Sequence, residues 1–153
     1  MKKSNIKKTA GALIVLFILI QFFGTEKNKT TTLSENAIEK HYTVSPKVQG
    51  LLKNSCYDCH SNNTVYPWYS QVQPVEWWLA SDIKNGKKHL NFDEFNSYTA
   101  EKKIHKLEEV AETVHKNEMP LGSYTLIHRQ SKLSDADKME IESWAMELKK
   151  EIQ

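Results

Sequence analysis

Two cysteines and a histidine stand together in this chain, in the run Cys56-Tyr57-Asp58-Cys59-His60. Thiols three positions apart lie on one turn of helix, where both can add to the two vinyl groups along one edge of a porphyrin. The imidazole that follows is then held under the ring, where it can bind the iron. This C-x-x-C-H pattern reads as the attachment site of one covalent haem c. Cys56 and Cys59 would form the thioethers and His60 would be the proximal iron ligand. A thioredoxin-like redox pair would need a strand before it and a βαβ surround, whereas Gln49-Gly50-Leu51-Leu52-Lys53-Asn54 reads as helix or loop. A structural zinc site closes with four ligands. The chain has no other cysteine, and His89, His105, His115 and His128 fall at no zinc-finger spacing.

One axial position on the iron is then left to fill. Met119 stands before Pro120 at the end of a helical pattern, where a rigid, donor-free backbone can present its thioether; Met/His ligation is common in c-type electron carriers. His128, nine residues further on, is the alternative, either as ligand or as partner of a haem propionate; an open sixth site is the third reading. Met139 and Met146 fall on the last helical pattern and read as core gap-fillers. Glu112-Thr113-Val114-His115 matches half of a di-iron motif, but such sites need a second copy and further Glu, so it reads as a solvated face.

The elements that must position these groups read as helices throughout. Ser45-Pro46 starts a helix whose apolar positions Val48, Leu51 and Leu52 run into the motif. A second begins near Pro74, with Val75, Trp78, Leu79 and Ile83 on its inner face and Gly86 as its stop. Leu90, Phe92 and Phe95 suit a short packed turn. A third spans about 100–116, with Ile104, Leu107, Val110, Ala111 and Val114 in one stripe, followed by a connecting segment from Leu121 to Arg129. The last opens on Ser134 as N-cap and carries Ile141, Trp144, Ala145, Leu148 and Ile152 inward. Trp68, Tyr69, Trp77 and Trp78 are candidates for enclosing a large flat ligand and keeping water from it.

The formal charge of +2 on these 153 residues hides an asymmetry. Lys2, Lys3, Lys7, Lys8, Lys27 and Lys29 face one acid, Glu26, within the first thirty residues, and the remainder is slightly acidic. A body of that charge excludes nucleic-acid binding, which needs a clustered basic footprint. Basic residues followed by the apolar run Ala10–Phe23 form an export signal. Small residues are missing at a cleavage site, so residues 1–24 are expected to remain as a signal-anchor and to cross the bilayer as one helix, lysines inside. Residues 25–36 read as a polar tether and 37–153 as the haem-binding domain. The body would then lie in the periplasm, on the inner membrane, where bacterial c-type haem is attached.

Several separated stretches are similar to the bacterial haem-binding domain proteins: Asn54-Ser55-Cys56-Tyr57-Asp58-Cys59-His60-Ser61-Asn62-Asn63-Thr64, Tyr66-Pro67-Trp68-Tyr69-Ser70, Gly86-Lys87-Lys88-His89-Leu90-Asn91-Phe92, Met119-Pro120-Leu121-Gly122-Ser123-Tyr124 and Lys132-Leu133-Ser134-Asp135. The resemblance covers most of residues 38–150. It implies an all-α, small cytochrome c-like domain around one haem, behind an N-terminal membrane segment. It also implies Cys56, Cys59 and His60 in the roles above, and Met119 in a Met-Pro equivalent to the distal loop of class I cytochromes c. His128-Arg129 departs from the His-Pro of many relatives. The expected function is one-electron transfer with redox partner proteins of the periplasm or inner membrane, a carrier and not an enzyme. A haem-based sensor and a peroxidase-like enzyme with an open distal site are the alternatives.

Overall fold

A computed structural model describes residues 3–153, and the side chains from residue 5 on; the start of the expected 1–24 segment lies outside them. Every regular element among the described residues is helical. Helix α1 spans Lys3–Ile20, α2 Ile38–His41, α3 Pro46–Ser55, α4 Tyr57–His60, α5 Val75–His89, α6 Ala100–His115, α7 Gly122–Ile127 and α8 Asp135–Ile152. Short 3₁₀ turns occupy Trp68–Gln71, Phe92–Ser97 and Arg129–Ser131.

Local chemistry accounts for the helix starts. Ser45 accepts from the Val48 N–H with Pro46 at the first helical position, and Thr99 accepts from the Lys102 N–H at the head of α6. Ser134 and Asp137 form a reciprocal capping box on α8. The apolar stripes then meet. α6 and α8 lie side by side, and α3 packs on α8 and α4. Ile38, Leu52, Phe92, Phe95, Leu107 and Ile141 are sealed at their junction. Phe95 meets Tyr42 and Tyr98 edge-on at 6.0 and 5.9 Å, the arrangement that aromatic quadrupoles favour.

Several expectations need correction. Among the described residues no helix is long and apolar enough to cross a membrane. α1 includes Lys3, Lys7 and Lys8 and ends at Ile20. Its uncharged part, residues 9–20, rises about 18 Å against about 30 Å of hydrocarbon. Gly86 does not end a helix: α5 continues through it to His89. Trp78, expected inside, is 54% exposed, because its side of α5 faces an open cleft. Met139 and Met146 are exposed rather than core residues. The segment from Leu121 to Arg129 is largely the short helix α7.

The polar stretch after α1 is fastened to the body at its start, where a loose tether was expected. The Gln73 N–H donates to Gln21 Oε1 at 2.9 Å, and Gln73 Nε2 and Trp77 Nε1 donate to the Phe23 carbonyl at 3.0 and 2.7 Å. The Thr25 N–H and Lys27 Nζ donate to Glu76 Oε1 at 3.0 and 2.9 Å. Asn28 Nδ2 donates to the Ser61 carbonyl at 2.9 Å, beside the C-x-x-C-H turn.

Glu76 gives this fastening a pH dependence. The Thr25 N–H, and after it the Lys27 ammonium, hold its carboxyl below the ordinary value of 4.5. A depressed folded-state pKa contributes stability that is full above the unfolded value and is lost as pH falls through the folded one. Glu76→Gln is expected to lower the melting temperature at pH 7, with the deficit shrinking as pH drops below about 4.5. Parallel thermal melts of the two proteins at pH 7 and pH 3 check this; an equal deficit at both would contradict it.

Candidate functional site

The motif sits where two helices join. Cys56, at φ −125° and ψ −40°, closes α3 and opens the single turn α4. Its N–H donates to the Leu52 carbonyl at 2.8 Å, and its own carbonyl accepts from the N–H groups of Cys59 and His60 at 3.1 and 2.9 Å. This turn brings Cys56, Cys59 and His60 to the wall of one cleft. Burial pushes both thiols up to about 12, with the charge of Asp58 adding to the effect at Cys59. Both rest as neutral thiols at neutral pH.

His60 is oriented from behind. Its Nδ1 lies 2.9 Å from the Leu90 carbonyl, which can only accept, so Nδ1 carries the proton and Nε2 keeps its lone pair. Burial lowers the imidazole's pKa and outweighs the opposing pull of the Leu90 carbonyl, so the ring is neutral. The next residue fixes that carbonyl: the Asn91 N–H donates to Tyr98 Oη at 3.0 Å, and Asn91 Nδ2 to Asn62 Oδ1 at 2.8 Å.

The segment that follows α6 also lines the cleft. Asn117 adopts φ 60°, a left-handed conformation that asparagine tolerates better than most residues. The N–H groups of Glu118 and Met119 then turn back onto the Thr113 carbonyl at 2.9 and 3.2 Å. The reversal sends Met119 and Pro120 along the cleft. Adjoining cavities of about 180 and 430 Å³ share Ser55, Cys56, His60, His89, Met119 and Pro120. Ser55 Oγ is buried there with no hydrogen-bond partner, which costs about 1–3 kcal/mol unless an occupant supplies one.

A smaller cavity of about 60 Å³ continues past Cys59 between Tyr69, Trp78, Tyr124 and His128. Tyr124 donates to Asp58 Oδ2 at 2.7 Å and stacks on His128 at 4.3 Å. His128 Nε2 lies 2.6 Å from Tyr69 Oη. His128 thus lines this side chamber with Cys59 and not the two cavities that hold Met119. Of the four aromatics expected to enclose a ligand, Tyr69 and Trp78 line the chamber. Trp68 is 79% exposed and Trp77 faces a different groove.

The Haem-binding domain family matches residues 15–147. The chain belongs to that family. Haem is therefore its cofactor, and no curated protein and no solved structure matches the chain. The residues present fit the group. The cleft offers a neutral imidazole with a free lone pair, a thioether, two thiols and an unpartnered buried hydroxyl between largely apolar walls.

Several residues that line this cleft carry no role in the sequence. Ser55 and Tyr124 stand in the similar stretches without a role read for them. His89 reads as part of an exposed turn but ends α5 at the mouth of both cavities. The Leu90 carbonyl left no signal, because a backbone acceptor is independent of side-chain type. Gly86 did leave one: glycine inside a helix, where it is disfavoured, marks a close approach. A Cβ at position 86 would lie 2.7 Å from the Cys59 carbonyl oxygen. The side chains of Glu112 and His115 are 59% and 76% exposed, as a solvated face requires. Glu112 pairs with Lys116, and His115 lies 3.3 Å from Glu142.

Proposed function

We propose that this member of the family carries covalent haem c and passes single electrons at the periplasmic face of the inner membrane, as a carrier between redox partner proteins and not as an enzyme. The observation that carries the reading is the meeting of Cys56, Cys59, His60 and Met119 around one cleft. Bound haem supplies a one-electron Fe(III)/Fe(II) couple. Cys56 and Cys59 would hold the ring by thioethers. His60, its proton fixed on Nδ1 by Leu90, would offer Nε2 to the iron, and Met119 would offer its sulfur. Apolar walls around a bound haem would limit water and so disfavour the ferric charge, which would raise the potential. The basic and then apolar N-terminus supports export to the periplasm, with α1 holding the body at the membrane.

The test is the oxidised absorption spectrum of the full chain, produced with haem-maturation machinery. A haem that stays with the polypeptide on denaturation, with the weak charge-transfer band of Met–Fe(III) ligation, is expected. Met119→Ala is expected to abolish that band and admit carbon monoxide to the reduced protein. A wild-type protein that lacks the band and binds the gas freely would overturn the carrier reading in favour of a sensor or peroxidase. Absence of covalent haem would overturn the attachment.

A further inference from the structure

The root of α1 has no slack. Gln21, Phe23, Thr25, Lys27 and Asn28 are each hydrogen-bonded to the body, so α1 and the haem domain are joined without a swinging linker. Phe22 and Phe23 prolong the apolar surface of α1 and are 80% and 67% exposed. Residues 9–20 reach about 18 Å, little more than half of the hydrocarbon layer. If α1 enters lipid over its apolar length, Phe23 is drawn into the headgroup region, and Trp77, bonded to its carbonyl, goes with it.

The surface around that point has the chemistry of a headgroup contact. Trp77 is 39% exposed, with its N–H at one end bonded and its ring turned outward, and tryptophan favours the membrane interface. Beside it runs an open groove lined by Glu26 and by Lys27, Lys84 and Lys87, of which Lys27 is already paired with Glu76. Lys27 and Lys29 also lie over the Tyr66 ring, at 4.9 and 5.8 Å. α5 divides this surface from the haem site. Trp77, Ala80, Ser81, Lys84 and Lys87 face the groove, whereas Asp82, Asn85, Gly86 and His89 face the cleft.

We propose that the body rests directly on an anionic phospholipid surface through the face bearing Phe23, Trp77 and Lys84. The haem cleft is then turned away, about one helix diameter, roughly 10 Å, above the headgroups. Lysines next to an anionic leaflet gain about a kilocalorie each, which corresponds to about fivefold. The inference rests on the membrane attachment proposed above.

The experiment uses the full chain in vesicles of phosphatidylcholine with phosphatidylglycerol, first floated on a density gradient and then treated with a water-soluble amine-reactive reagent. Modification is read by mass spectrometry. Lys84 and Lys29 are expected to react at least about fivefold more slowly in vesicles than in detergent, while Lys150 on α8 reacts alike in both. A chain that fails to float would overturn membrane attachment and this proposal with it. A chain that floats with Lys84 as reactive as in detergent would overturn the proposal alone. Trp77→Ala is expected to float yet lose the protection of Lys84; retained protection would overturn the role of that face.

Discussion

Gly86→Val is expected to prevent stable haem loading, whereas Gly50→Ala should be harmless. Glycine at 86 lets α5 lie against the C-x-x-C-H turn. An added Cβ would stand 2.7 Å from the Cys59 carbonyl oxygen and 3.0 Å from its Cβ, and neither atom belongs to a flexible side-chain end that could swing aside. The Cys59 carbonyl lies within the short turn α4 and cannot move independently of the thiol and imidazole. α5 must therefore retreat, carrying with it His89 at the cleft mouth and Leu90, whose carbonyl orients His60. Overpacking of this kind costs about 1–3 kcal/mol, a fall in melting temperature of roughly 3–10 °C for a domain of this size. The loss of haem should exceed what that destabilisation alone would produce, because the displaced atoms are those of the site. At Gly50 an added Cβ meets nothing within 4 Å, so alanine there should hold or raise stability by about 0.5–1 kcal/mol through backbone entropy. Haem content per chain and thermal melts of the two variants check both expectations. Wild-type haem content in Gly86→Val would show that the contact does not constrain the motif.

The double variant Cys56→Ser, Cys59→Ser is expected to lose all covalently held haem while keeping the helical fold. Both thiols lie on the cleft wall, spaced by the turn that Cys56 begins. Neither is bonded to the other or to any part of the core; both are free cysteines. Serine fills nearly the same volume, so packing around Phe92 and Leu52 is undisturbed. What disappears is the ability to form thioethers, because a hydroxyl does not replace a thiol in addition to a vinyl group. Haem that still binds would be held by axial ligands and apolar contact alone, and would be extracted by acid and organic solvent. The measurement is the intact mass of the denatured chain, with and without the added porphyrin. A denatured double variant that still carries haem would refute covalent attachment through these thiols.

The helical class, the starts of α3, α5, α6 and α8, and the cofactor are legible in the residues alone, because those features rest on local chemistry. Ser45, Thr99 and Ser134 cap helices with their own side chains. The stripe Leu107, Val110, Ala111, Val114 repeats at the helical period and packs on the core. Two thiols and an imidazole within five residues need no distant partner to be recognised. Features that depend on residues far apart in the chain emerge only in the fold. Nothing in the polar run from Thr25 to Asn28 indicates that Glu76, Ser61 and Tyr66 will bind it, so a fastened segment reads as a tether. Trp78 reads as inward-facing by its spacing on the helix, yet it is exposed because apolar area alone does not say which side of a helix meets another element. Gly86 reads as a stop signal by its type and proves to be a contact by its position, 27 residues along the chain from the carbonyl it faces. The partner of the His60 Nδ1 is a backbone oxygen on Leu90, and only the fold brings that oxygen to the imidazole.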